Sequence, residues 1–270
     1  MEFTWFKGHG TENDFVLLPD HDGTLHGDLD PAFVAALCDR RRGIGADGVM
    51  RVVRCTALGH NSPAEWFMDY RNADGSLSQM CGNGIRVFAR HLLEEGLVEG
   101  PEFPIDTRDG LKFLTVVGDE IAVDMGAFTT GTHSKVSAGG QSWEALEVHT
   151  GNPHAVAFVD RVTDAGPLLE QPGYAESVYP EGVNVEFAER RGTHHVAMRV
   201  HERGSGETRS CGTGACAVAI ATAKADGAPD PTTYRVDVPG GTLHVTVSPD
   251  RTILRGPARI VAAGTMEWRG

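Results

Sequence analysis

The feature that most constrains this chain is that it repeats itself. Asp106–Ala127 (DTRDGLKFLTVVGDEIAVDMGA) lies over Asp237–Ala258 (DVPGGTLHVTVSPDRTILRGPA) without a gap. Asp106 with Asp237, Gly110 with Gly241, Thr115-Val116 with Thr246-Val247 and Asp119 with Asp250 coincide at an offset of 131, and Cys81 and Cys211 stand 130 apart. Each copy alternates apolar and polar residues on both sides of a turn, the period-2 pattern of two half-buried strands. Upstream, Glu65–Arg71 and Val196–Arg203 both read as strands, each followed by a glycine-containing turn. Then come Cys81-Gly82-Asn83-Gly84 and Cys211-Gly212-Thr213-Gly214, each opening a helix. The first helix carries Ile85, Phe88, Ala89 and Leu92 on one face and stops at Gly96; the second, Ala215–Ala223, is apolar nearly all round and must be buried.

Such a chain is expected to be an α+β protein of two pseudo-symmetric homologous domains. Each is a curved, mainly antiparallel sheet wrapped around a central helix, with the active site in the cleft between them. Residues 1–126 form the N-terminal half and 127–260 the C-terminal half, with a final strand at about 261–270 returning to the first.

The two Cys-Gly-x-Gly motifs carry the chemistry. A thiol at a helix N-terminus faces amide hydrogens and the positive end of the helix dipole, which favour its thiolate. The glycines let those amides approach a carboxylate closely. Each motif thus offers a base and half of an anion cradle, which suits removal of a proton α to a carboxylate. Inverting a stereocentre needs a base on one face and an acid on the other, and Cys81 with Cys211 would supply both. Lys7, Lys112, Lys135 and Lys224 stand in no Schiff-base context, so no cofactor is expected and no metal. Backbone amides in a dry site would have to stabilise the carbanion. Cys38, Cys55 and Cys216 lack the motif.

The bulk composition narrows the partners. A formal charge of −13 argues against a nucleic-acid surface, and no apolar run reaches the roughly 18–20 residues of a membrane helix. The N-terminus has no basic region followed by an apolar stretch, so a cytoplasmic location is expected. Five cysteines in 270 residues make no disulfide framework or zinc pair. Thirty-four glycines, set in short patterned clusters, point to turns and ligand contacts.

Along its whole length the sequence resembles the diaminopimelate epimerase family. The likeness rests on Lys7–Phe15 (KGHGTENDF), Arg42–Gly48 (RGIGADG), Arg71–Ser76 (RNADGS), Met80–Arg86 (MCGNGIR) and Gly151–His154 (GNPH), and further on Gly182–Asn184 (GVN), Glu202–Thr208 (ERGSGET) and Cys211–Cys216 (CGTGAC), in that order. The resemblance implies interconversion of LL- and meso-2,6-diaminopimelate without pyridoxal phosphate, in the supply of lysine and peptidoglycan precursors. It implies Cys81 and Cys211 as the acid/base pair, and Gly82, Asn83, Gly212 and Thr213 as the carboxylate cradle. Asn13, Asn72, Asn152, Asn184, Glu202 and Arg203 would bind substrate, with His154 and Glu202 tuning the thiols. Arginine suits a carboxylate, glutamate an ammonium and asparagine either. Two departures stand out. Some members carry a substrate-touching glutamine where this chain has Gly48. Some carry a dimer-linked tyrosine in the last strand, where this chain reads Ile260-Val261-Ala262-Ala263-Gly264; the family usually forms homodimers.

Two other readings compete. A proline or hydroxyproline racemase shares the architecture and the cysteine pair, but typically has a histidine where this chain has Asn83. A thiol redox sensor would instead cycle Cys81 and Cys211 between dithiol and disulfide.

Overall fold

A computed structural model describes residues 1–268, so the last two positions of the expected 261–270 strand lie outside the described residues. The chain divides into two compact units, Met1–Val123 with Pro257–Gly270, and Asp124–Gly256.

In the first unit β1 (Glu2–Gly10), β2 (Asn13–Pro19), β3 (Gly48–Arg54) and β4 (Trp66–Asn72) form one sheet with the final strand, in the order last strand-β1-β2-β3-β4. Pairing is antiparallel except between β2 and β3, which run parallel with Phe15 opposite Gly48 and Leu17 opposite Met50. A parallel pair needs a long crossover, and α1 (Pro31–Cys38) lies within it, capped by the Asp30 carboxylate, which accepts from the Phe33 amide at 3.0 Å. β5 (Glu102–Ile105), β6 (Lys112–Val117) and β7 (Glu120–Gly126) add an antiparallel meander.

The helix of this unit, α2 (Gly82–Glu94), packs against β1, β2 and β3. Ile85, Phe88, Ala89 and Leu92 are fully buried on it; each large side chain contributes roughly 1.5–3 kcal/mol. Gly96 ends the helix at φ +66°, with the Leu97 amide donating back to the Leu92 carbonyl at 2.8 Å, the Schellman closure that favours glycine.

The second unit repeats this plan. β8 (Thr129–Ala138), β9 (Gln141–His149), β10 (Pro153–Val159), β11 (Asn184–Gly192) and β12 (His195–Glu202) lie in succession, with short β13 (Gly206–Thr208) beside β12. β14 (Thr232–Val238), β15 (Gly241–Val247) and β16 (Thr252–Pro257) continue beyond β12. β10 and β11 are parallel, with His154 opposite Asn184 and Val156 opposite Glu186; β12 and β14 are also parallel, and the other pairings antiparallel. The helix α3 runs Gly212–Asp226, opening at the cysteine motif and extending past Ala223 to a left-handed Gly227. It packs against β9–β12, β14 and β15, and from Ala215 to Ala221 every residue is at most 2 % exposed. The repeated hairpins are β6–β7 and β15–β16. β17 (Arg259–Glu267) crosses back to the first unit and pairs antiparallel with β1. Both units are mainly antiparallel sheet around one helix, the expected α+β architecture.

Candidate active site

Each motif cysteine is the N-cap of its helix. Cys81 has extended backbone (φ −137°, ψ 120°) and its sulfur accepts from the Gly84 amide at 3.3 Å. Cys211 repeats this (φ −124°, ψ 118°), with its sulfur 3.4 Å from the Gly214 amide. The amides of a helix's first turn have no carbonyl of their own helix to bond. Gly82, Asn83, Gly212 and Thr213 therefore stand where a carboxylate is bound best.

Around Cys81 the first unit builds a chain of oriented groups. The thiol reaches the Asn13 Oδ1 at 3.7 Å, and Asn83 Nδ2 donates to that same oxygen at 3.2 Å. Asn13 Nδ2 donates in turn to Asp47 at 2.7 Å, and the buried Arg86 donates to Asn83 Oδ1 at 2.9 Å and to the Gly82 carbonyl at 2.9 Å. Asn13 is thus held with its oxygen toward the sulfur. It follows Thr11 and Glu12, which link β1 to β2 at φ +50° and +63°. That is the left-handed pair of a tight hairpin, strained for a β-branched threonine and of the kind that collects at functional sites. Behind Asn13, Asp14 meets Arg40 at 2.7 Å and Lys7 at 3.0 Å. Burial works to raise the Asp14 pKa, but hydrogen bonds from Arg40 and Lys7 outweigh it and bring it to about 2. Asn72 sits at the end of β4 and closes the turn to Ser76, its amide donating to the serine hydroxyl at 3.0 Å.

Around Cys211 the second unit differs. The thiol is buried, 3.4 Å from the Thr213 hydroxyl. Burial first, then the Glu202 and Glu186 carboxylates, raise its pKa well above the ordinary thiol value against hydrogen bonds from Thr213 and Gly214. For Cys211, desolvation and two carboxylates work against the pull of the helix terminus toward the thiolate. His154 lies fully buried on β10, Nδ1 at 2.6 Å from Glu186 Oε1 and Nε2 at 3.0 Å from Asn152 Oδ1. Asn184 bridges neighbouring chain segments: its amide donates to the Pro153 carbonyl at 3.1 Å, and its oxygen accepts from the Arg203 backbone amide at 2.9 Å. Glu202 accepts from Thr208, and the exposed Arg203 guanidinium donates to the Glu181 carbonyl at 2.8 Å. A cavity of about 310 Å³ opens here, lined by Asn152, Pro153, Tyr179, Glu181 and Arg203 among others. Asn152, Asn184 and Arg203 thus gather in one neighbourhood of this unit, a setting able to receive a charged amino-acid head.

Glu186 escaped the sequence reading. In Val185-Glu186-Phe187-Ala188 it looks like a solvent-facing strand residue, yet it is 0 % exposed. Only its place in a buried run hinted otherwise. Arg86, quoted above only as part of a motif, likewise proves to be the buried anchor of Asn83. Gly48 has its own steric reason: a Cβ there would lie 2.5 Å from both the Arg71 carbonyl oxygen and the Tyr70 ring.

A family model for diaminopimelate epimerase matches residues 5–130 and 147–261. A diaminopimelate epimerase of Streptomyces coelicolor is 54 % identical over 97 % of this chain and 95 % of its own. One of Mycolicibacterium smegmatis is 44 % identical over 97 % and 96 % respectively. Among solved structures, a phenazine biosynthesis protein of Bacillus anthracis is alike in fold, with TM-score 0.77 at 16 % identity over 99 % of this chain and 100 % of that one. A hydroxyproline epimerase of Agrobacterium vitis has TM-score 0.70 at 15 % identity over 98 % and 92 %.

Proposed function

This chain belongs to the diaminopimelate epimerase family, and we infer from that premise that it interconverts LL- and meso-2,6-diaminopimelate without pyridoxal phosphate. The observation that carries the reading is the duplicated cap: two cysteines, one per unit, each the N-cap of a buried helix. A thiolate removes the α-proton, and the second thiol returns one to the opposite face. The first-turn amides at Gly82-Asn83 and at Gly212-Thr213 are the donors for the α-carboxylate, so charge developing on it meets fixed dipoles. Asn13 faces the reacting end beside Cys81. Asn72, Asn152, Asn184, Glu202 and Arg203 hold the rest of the substrate, the arginine on a carboxylate and the glutamate on an ammonium. His154 and Glu202 tune the thiols, the Glu202 carboxylate acting on Cys211.

The same reading places the enzyme in the cytoplasm, where precursors of lysine and peptidoglycan are made. It also pairs two chains along β17, which ends its sheet and carries an exposed Val261; light scattering on purified protein tests that dimer. The test of the reaction is α-proton exchange by NMR with reduced protein in D₂O, diaminopimelate and proline being offered separately. Deuterium entering one centre of diaminopimelate with inversion, and none entering proline, supports the assignment. Exchange with proline alone would transfer it to the racemase reading, and exchange with neither would remove the two-thiol mechanism.

A further inference from the structure

The two units can be compared position by position, because each has a parallel strand pair beneath its motif helix. In the first, Phe15 on β2 stands opposite Gly48 on β3; in the second, His154 on β10 stands opposite Asn184 on β11. Two residues further along the second strand of each pair come Met50 and Glu186. The space behind each cysteine confirms the correspondence. A Cβ built on Gly84 would touch Met50 Sδ and Phe15 Cε1, both at 3.4 Å. A Cβ on Gly214 would lie 2.8 Å from Glu186 Oε1 and 3.3 Å from Cys211 Sγ. Where the first unit sets phenylalanine and methionine behind its thiol, the second sets histidine and glutamate.

Glu186 is an expensive residue to keep in that place. It is fully buried, Oε1 meets His154 at 2.6 Å, and Oε2 has no hydrogen-bond partner among the described residues. A buried, half-satisfied carboxyl is costly unless something uses it. A methionine fills the matching position in the first unit without that cost.

We propose that Glu186 is a positioning residue that makes the two thiols inequivalent, orienting His154 and keeping the proton of the second unit on Cys211 in the free enzyme. The proposal rests on Cys211 being one of the two reacting thiols. Four ionisable groups face Glu186: His154 from β10, Cys211 from the start of α3, Glu202 from β12, and Tyr179 from the segment before β11. Cys211, Glu186 and Glu202 are acids in one poorly hydrated site, so each raises the cost of ionising the others. With Asn152 presenting its oxygen to Nε2, the imidazole has one hydrogen committed there. The short Nδ1–Oε1 contact holds the other ring nitrogen, and the two contacts together fix the ring.

The test uses the full reduced chain as wild type, Glu186→Gln and Glu186→Met, the last copying the first unit. Brief iodoacetamide labelling across the pH range in which thiols ionise, read by peptide mass spectrometry, reports Cys81 and Cys211 in the same sample. The proposal expects the Cys211 profile to move to lower pH in both variants while that of Cys81 stays. It also expects kcat for diaminopimelate to fall by up to about 100-fold, the cost of a reacting group misplaced by about 1 Å, with KM held. A Cys211 profile that does not move, or that moves together with Cys81, would overturn it. Labelling does not depend on turnover, so full activity in Cys211→Ser would sink the catalytic reading separately. If the glutamine variant fails to fold, the methionine variant still decides.

Discussion

His91 should make the first unit acid-sensitive. It lies near the end of α2, 1 % exposed, its ring centroid 4.5 Å from that of Phe6. Neither ring nitrogen has a hydrogen-bond partner among the described residues. Burial first, and neighbouring His21 second, lower its pKa from 6.5 to about 4. A base whose folded pKa is depressed binds its proton more weakly in the native state than in the unfolded one. Its contribution is therefore intact above the unfolded pKa and is lost as pH falls from about 6.5 to about 4. At about 1.4 kcal/mol per unit, that interval is worth about 3 kcal/mol, a large share of an ordinary domain's stability. His91→Leu removes the titrating group and both unpartnered nitrogens at little change of volume. It should be at least as stable as wild type at neutral pH and pull ahead by about 3 kcal/mol near pH 4. Urea titrations followed by tryptophan fluorescence at several pH values measure this, since Trp5, Trp66 and Trp268 of the four tryptophans lie in the first unit. Parallel loss of stability in wild type and variant would refute the argument.

Other residues give sharper single outcomes. Arg203→Ala should raise KM for diaminopimelate by about 10- to 100-fold with kcat nearly unchanged, because a charged hydrogen bond worth about 1.5–3 kcal/mol is lost in ground and transition states alike; steady-state kinetics decides. Asp69→Asn removes the carboxylate shared by Arg51, Arg71 and Arg108 and leaves the buried Arg51 with Asp20 at 3.6 Å. It should cost about 1.5–3 kcal/mol, the worth of a charged hydrogen bond, read as a lower denaturation midpoint. Gly43→Ala places a Cβ 2.1 Å from the Ala36 carbonyl oxygen and 2.5 Å from that of Leu37. Backbone atoms cannot swing aside, so about 1–3 kcal/mol or more should be lost in the same assay.

What the sequence revealed follows from range. The helix starts at Cys81 and Cys211, the glycine stop at Gly96 and the paired hairpins β6–β7 and β15–β16 were legible because caps, turns and alternation are local signals. The setting of Cys211 was not. Burial first, then the Glu202 and Glu186 carboxylates, favour its protonated form; those carboxylates come from β11 and β12, strands against which α3 packs, and local periodicity does not report such packing. The Asp69 cluster was hidden for the same reason, drawing arginines from β3, from β4 and from the turn after β5. Asn72 shows the opposite case: its motif marked it for substrate, and its side chain also closes an ordinary turn with Ser76.

The capping role of the two cysteines sets catalysis against folding. Sulfur is a weak acceptor, and serine, threonine, aspartate and asparagine are the residues that best begin a helix. Cys81 and Cys211 hold the cap positions of the two most buried helices in the chain, so the enzyme forgoes roughly 1 kcal/mol of helix stability at each. Serine at either position would restore an oxygen cap without changing the backbone. On the proposed two-thiol mechanism those same substitutions abolish turnover, yet they should melt at or above the wild-type temperature, so selection for thermal robustness alone would drive this chain toward an inert protein.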